Sequence, residues 1–144
     1  MRSVALRAYE QITATGKMRL FRSYRREYAD GEQKRDFLYV KDAVNMIWFL
    51  FNAPRAAGLY NVGSGKAETW NALARAAFRA LGKTPDIEYI DMPENLRDRY
   101  QYYTCTEMDK LLSLGFDEPF FSLDAAVADY FQNYLAPGKR PGDE

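Results

Sequence analysis

Apolar positions recur along this chain with two periods. Val4, Ala5, Ala8, Tyr9 and Ile12 share one face at helical spacing and Gly16 follows as a stop, which predicts a helix over 2–14. Residues 17–36 hold no sustained period and carry the turn signal Asp30-Gly31, so they read as a polar loop with a short strand near Arg19 to Phe21. Phe37 to Val40 is a β-rich run. Asp42 then stands where it can cap a following helix by accepting backbone N–H bonds.

That helix, 43–51, reads Ala, Val, Asn, Met, Ile, Trp, Phe, Leu, Phe and is apolar almost all round, the pattern of a helix covered on more than one side. A strand is expected at 58–62, ending in a Gly63-Ser64-Gly65 turn that needs glycine's backbone freedom. Trp70, Leu73, Ala74, Ala77, Phe78 and Leu81 make a clean amphipathic stripe, with Thr69 as cap and Gly82 as stop. A short strand at 87–90 leads into a charged, aromatic loop over 91–104. Thr106 is expected to cap a brief helix to Leu112, and a last helix runs from about Ser122 to Leu135. This implies one unit over 1–136. The tail at 137–144, Pro, Gly and charge, is expected to be disordered.

Composition narrows the chemistry. With no histidine and a single cysteine, Cys105, the imidazole-dependent hydrolase mechanisms and a structural zinc site lack their usual players. No GxGxxG turn or Walker loop is present, and no metal site is expected. Twenty basic and twenty acidic side chains cancel, so no general nucleic-acid affinity is expected and an anion site has to be local. No apolar run approaches the roughly 18 residues that span a bilayer, no secretory leader is apparent, and one cysteine suits a reducing compartment; the expectation is cytoplasmic, without membrane attachment.

Two loops concentrate arginine beside aromatic rings. One holds Phe21, Arg22, Tyr24, Arg25, Arg26 and Arg35; the other holds Arg97, Arg99, Tyr100, Tyr102 and Tyr103. A guanidinium fork grips phosphate oxygens and an aromatic face stacks on a base, a combination suited to a nucleoside diphosphate. The bland alternative is that the arginines are solvated or pair with Glu27, Asp30 and Asp98, where each pair contributes about 0–1 kcal/mol.

The string Lys34-Arg35-Asp36-Phe37-Leu38-Tyr39-Val40-Lys41-Asp42, followed at 59–65 by LYNVGSG, resembles the RDFxYVxD and YNxGxG signatures of extended short-chain dehydrogenase/reductases. The loop LFRSYRREYADGEQKRDF, the stretch GKAETWNALARAAF and the segment LRDRYQ are together similar to the ADP-glyceromanno-heptose 6-epimerase branch of that family. The resemblance covers residues 1 to about 135 and only the second half of such an enzyme. It implies an α/β fold, the carboxy-terminal substrate-binding part of a Rossmann-type enzyme, built of helices with a few short strands.

It further implies that an ADP-sugar is held by Phe21, Arg22, Ser23, Tyr24, Arg35 and Tyr100, with Arg7 on the first helix as a further contact where some members carry histidine. Asp36 and Asp42 are expected to orient backbone and to cap, and Tyr39 to be core. The implied reaction is transient oxidation at the heptose 6-position by bound NADP, interconverting ADP-D-glycero-D-manno-heptose and ADP-L-glycero-D-manno-heptose, a lipopolysaccharide-core precursor. The glycine-rich cofactor turn and the Tyr-x-x-x-Lys pair of such enzymes are absent from this chain, so no catalytic residue is assigned and the chain alone is expected to be inactive. The expected partners are the ADP-sugar, the missing amino-terminal cofactor-binding half, and further copies in a homo-oligomer. Two alternatives remain at this point: part of a related enzyme acting on a UDP- or dTDP-sugar, or a noncatalytic nucleotide- or partner-binding module.

Overall fold

The computed structural model describes residues 3–139. Helix α1, Val4–Thr15, starts at Ser3, whose hydroxyl accepts the Leu6 N–H at 3.0 Å, and stops at Gly16, whose φ of 74° reverses the chain. Strand β1, Met18–Phe21, follows, then a loop, then strand β2, Lys34–Asp36. Helix α2, Val40–Asn52, precedes strand β3, Ala67–Thr69, which runs directly into helix α3, Trp70–Ala80. Thr69 caps α3 through the Ala72 N–H at 3.0 Å. Strand β4, Ile87–Ile90, two single-turn helices, α4 (Glu94–Arg97) and α5 (Asp109–Leu112), and helix α6, Leu123–Tyr130, complete the order. α6 is capped by Ser122 and widens into a π-helical turn over Phe131–Leu135.

The strands form two small pairs. β1 lies parallel to β4, with Leu20 opposite Tyr89 and Phe21 opposite Ile90; β2 lies antiparallel to β3. The main core joins Ala8 and Ile12 of α1, Leu20 of β1, Phe78 of α3 and Val127 of α6 with Phe131 beyond it. A second cluster gathers Met46 of α2, Met108, Leu111 and Phe116.

Several expectations shift. The β-run read at 37–40 is a strand three residues earlier: the ladder with β3 ends at Asp36, and Phe37 turns its ring edge-on to Trp70 at 5.3 Å. α2 therefore begins at Val40 with Tyr39 in the cap position, and Asp42 lies inside the first turn. Asp42 is no cap; buried, its carboxylate accepts the Phe121 N–H at 3.3 Å and ties α2 to the segment before α6. Tyr39 is half-buried and spends its hydroxyl on Asp129.

Residues 58–62 are irregular rather than a strand, because their carbonyls face a side chain: Lys110 Nζ donates to Ala57 and Leu59 oxygens at 3.0 and 2.6 Å. Thr106 caps no helix; its N–H donates to Asp36 Oδ2 at 2.9 Å. Asp36 also takes the N–H groups of Ser64 and Gly65, and so orients the backbone of the 63–65 turn as read from sequence. Burial pushes its carboxyl up, but the bonds from Ser64 and Thr106 outweigh that and hold it below the ordinary range. Pro137 to Lys139 continue in hydrogen-bonded turn, while 140–144, most of the expected tail, lie outside the described residues.

One face of α2 has no cover. Trp48 is 66% and Phe51 81% exposed, their rings stacked 6.0 Å apart, and Val44 and Ile47 of the same helix are exposed as well. Phe49 packs on Phe116 at 5.3 Å. No helix among the described residues is long and apolar enough to cross a membrane.

Candidate functional site

A cleft of about 330 Å³ opens where α1, β1 and the loop after β4 meet, walled by Arg7, Phe21, Gln33, Trp70, Ile90 and Tyr100. Its position follows from the strand pairing. The parallel register brings Phe21 beside Ile90, the main chain continues the pairing through Arg22 N–H to Ile90 O at 2.9 Å, and both chains then diverge into the two arginine–aromatic loops.

Those loops are interlocked. Tyr24 donates its backbone N–H to the Tyr102 hydroxyl at 3.0 Å and its own hydroxyl to Asp91 at 3.1 Å, while the Arg97 guanidinium lies 4.1 Å over the Tyr24 ring. Arg25 stacks 4.7 Å above Tyr102, whose ring meets Tyr28 and Tyr100. Cation–π contacts of this kind contribute about 0.5–1 kcal/mol each at exposed positions and fix the guanidinium plane. Burial pushes the Tyr24 hydroxyl upward, with its bond to Asp91 acting the same way, so the phenol stays protonated as a donor at neutral pH.

The sequence-selected residues divide into three groups. Arg7, Phe21 and Tyr100 line the cleft, and Phe21 meets Tyr100 edge-on at 6.3 Å. Arg35 on β2 holds its guanidinium 5.2 Å over the Tyr100 ring, with Nη1 donating to the Lys34 carbonyl at 3.1 Å. Neither Arg7 nor Arg35 has a carboxylate partner among the described residues. Arg22, Ser23 and Tyr24 form the adjoining loop. Arg22 is 3.9 Å from Asp91, and the bland pairing of these arginines with Glu27, Asp30 and Asp98 does not form. Asp30 instead accepts the Ser23 N–H at 2.7 Å, and the Ser23 hydroxyl donates to the Arg25 carbonyl, so Ser23 is occupied with shaping its own loop.

Tyr100 is pushed up by burial, against the opposing pull of Arg35, and is a neutral donor at physiological pH. Gln33 and Trp70 were not singled out from sequence as site residues; Gln33 carried no signal, and Trp70 was read as part of the α3 core stripe. Both wall the cleft, and Gln33 Oε1 and Trp70 Nε1 are buried without a hydrogen-bond partner. The Trp70 indole lies near Tyr100 but falls short of ordinary hydrogen-bond geometry.

Residues 1–63 match the NAD dependent epimerase/dehydratase family. A protein of Nitratidesulfovibrio vulgaris named ADP-L-glycero-D-manno-heptose-6-epimerase is 53% identical over 136 residues, covering 94% of this chain and 42% of the relative. The chain belongs to the NAD dependent epimerase/dehydratase family. Within this family, a Fusobacterium nucleatum protein of the same name is 41% identical over 142 residues, again covering 94% of this chain and 43% of the relative. The crystal structure of the Helicobacter pylori ADP-L-glycero-D-manno-heptose-6-epimerase superposes with a TM-score of 0.72 at 25% identity, over 92% of this chain and 38% of that one. The fold is thus that of the carboxy-terminal part of an extended epimerase. The chain spans about two fifths of the length of the curated relatives it matches.

The family's dinucleotide does not fit the residues present. A dinucleotide crevice needs a strand, a glycine-rich turn and a helix N-terminus in succession; here β1 and β4 both run into arginine–aromatic loops, and the sequence holds no such turn.

Proposed function

We propose that this chain forms the ADP-sugar-binding part of an ADP-glyceromanno-heptose 6-epimerase, an NADP-dependent enzyme whose cofactor and proton-transfer groups lie in the remainder of the protein. The observation that carries this reading is an aromatic-walled cleft lined by Arg7, with the Arg35 guanidinium over the Tyr100 ring of its wall and no carboxylate partner for either arginine among the described residues. An anion bound between them gains charge-assisted bonds without first breaking an ion pair. Phe21 and Tyr100 supply apolar area for the nucleoside, and Arg22 and Tyr24 stand at the mouth of the loop. Holding the nucleotide end firmly delivers binding energy to the positioning of the sugar end, where the reaction occurs. The relatives' names support the ADP-heptose over a UDP- or dTDP-sugar.

The uncovered face of α2, Val44, Ile47, Trp48 and Phe51, supports a second element of the reading: the remainder of the enzyme seats there. An unbroken apolar face of that kind is unusual on a protein that works alone. The enzyme is soluble and cytoplasmic in this reading, and assembles as a homo-oligomer.

Calorimetric titration of the purified chain with ADP-heptose and with a UDP-sugar tests the proposal. The ADP-sugar should bind at least tenfold more tightly, and the chain alone should neither retain NADP nor yield epimerised product. Adding the amino-terminal part in trans should restore turnover. Preference for the UDP-sugar would move the chain to another branch, and turnover by the chain alone would show that its chemistry lies elsewhere.

A further inference from the structure

Two residues that wall the cleft, Gln33 and Trp70, each hold a buried polar atom without a hydrogen-bond partner in the ligand-free chain. Gln33 is 1% exposed; its Nε2 donates to the Phe21 carbonyl at 3.4 Å, which fixes the amide so that Oε1 is the unpartnered end. Trp70 Nε1 is the second, an indole donor with no acceptor. Buried polar atoms nearly always find partners, because leaving one unmatched forfeits its hydration with nothing in return. The two residues wall one cleft, and of the two atoms one is an acceptor and the other a donor.

We propose that Gln33 and Trp70 read the base of the bound nucleotide: Gln33 Oε1 accepts from an exocyclic amino group and Trp70 Nε1 donates to a ring nitrogen, the pattern adenine presents. This rests on the ADP-sugar reading above and extends it from the phosphates to the base. Adenine places its N6 amino donor beside ring-nitrogen acceptors, whereas hypoxanthine replaces the amino group by a carbonyl oxygen. Against Gln33 Oε1 that oxygen sets acceptor on acceptor. The surrounding walls supply apolar and aromatic area for a base: Phe21, Tyr100, Ile90, Val4 and Ala8 all line the cleft. Both polar atoms are closed off from solvent in the ligand-free chain, so engagement takes a side-chain adjustment on binding, the commonest kind of change at binding surfaces. The two residues are specificity determinants and take no part in proton or hydride movement.

The test is calorimetry on the 144-residue chain with ADP, IDP and UDP, for wild type, Trp70→Phe and Gln33→Met. Wild type should favour ADP over IDP by roughly 10- to 100-fold, the range for a buried hydrogen bond replaced by a mismatch. Trp70→Phe should weaken ADP about tenfold without lowering the unfolding midpoint, because it removes a donor that the ligand-free chain leaves unmatched. Gln33→Met should bring ADP and IDP to within about threefold of one another. If Gln33→Met fails to fold, the ADP/IDP ratio in wild type and the Trp70→Phe result still decide. Equal affinity for all three diphosphates, or ADP binding untouched by Trp70→Phe, overturns base reading while leaving the phosphate contacts standing. No binding of any diphosphate overturns the ADP-sugar reading and this inference with it.

Discussion

Replacing Arg35 by methionine removes a guanidinium whose surroundings define what the change should cost. In the structure Arg35 has no carboxylate partner; one Nη1 bond reaches the Lys34 carbonyl at 3.1 Å, and the plane lies 5.2 Å over Tyr100. Among the described residues its remaining donors make no ion pair. Met preserves much of the stem's length and apolar contact while deleting the charge. If the fork takes the diphosphate in a charge-assisted, bidentate contact, the loss is about 2–3 kcal/mol, or roughly 30- to 150-fold in ADP affinity. Adenosine, lacking phosphates, should lose far less, threefold at most. Arg35→Lys should recover only part of the loss, since an ammonium cannot reproduce the fork. Because no ion pair is broken, the unfolding midpoint should move by no more than about 1–2 °C, the scale of a surface substitution of under about 0.5 kcal/mol. Titrating ADP and adenosine into wild type and both variants, in the isolated chain and in the whole enzyme, reads all of these quantities. Equal losses for ADP and adenosine, or a midpoint drop of several degrees, would refute the phosphate contact and make Arg35 a structural residue.

The α2 face should make the isolated chain self-associate and bind a hydrophobic dye; Trp48→Ser with Phe51→Ser should abolish both without lowering the unfolding midpoint, as light scattering and dye titration would show. Gly63→Ala puts a Cβ 2.0 Å from Thr106 Oγ1 and 2.7 Å from Asp36 Oδ2, an overlap that should cost about 1–3 kcal/mol in urea unfolding; an unchanged midpoint would mean the turn yields freely. Asp129 is pushed up by burial but held lower overall by bonds from Lys41, Tyr39 and Asn133, so its folded pKa lies below its ordinary value of 3.8. That sign means its stabilisation is present above that value and is lost as pH falls through the lower folded value; Asp129→Asn should flatten the acid limb of a thermal-melt series, and an unchanged limb would contradict this. Asp42 has the opposite sign, raised by burial, so Asp42→Asn should be neutral or slightly stabilising at pH 7, and a marked loss of stability there would show that the charge itself is needed.

Helices were legible where local signals agree. Ser3, Thr69 and Ser122 each donate no tertiary information, yet their hydroxyls start α1, α3 and α6, and Gly16 stops α1 where the stripe ends. β1 and β4 were also placed from short β-rich runs. What failed were segments whose form depends on distant partners. The Phe37 to Val40 run has strand composition but no neighbour beyond Asp36, because the opposite strand turns at Ala67. Residues 58–62 look like a strand and find a lysine side chain instead. Asp42 sits at a plausible cap position, and only the fold reveals that it faces Phe121 from within the helix. Of the site, the density of arginine and aromatics marked both loops. The resemblance singled out Arg7, Phe21 and Tyr100, which line one cleft, and Arg35, whose guanidinium lies over the Tyr100 ring. Gln33 and Trp70 were invisible, because an unmatched buried atom exists only once every neighbour is in place.

The β1–β4 pairing joins Arg19 to Glu88 across 69 residues of chain, and Phe21 and Ile90, one from each strand, both wall the cleft. Contacts so far apart in sequence carry a large loop-closure entropy, which other packing, such as that of α1 on α3, has to offset. On the proposed reading, nucleotide affinity would therefore report on folding as much as on recognition. A chain with both helices formed but the parallel seam open would look helical by circular dichroism and bind nothing. A ligand that clasps the seam should in turn slow its opening, so that amide exchange at Leu20 and Tyr89 becomes the most sensitive measure of occupancy.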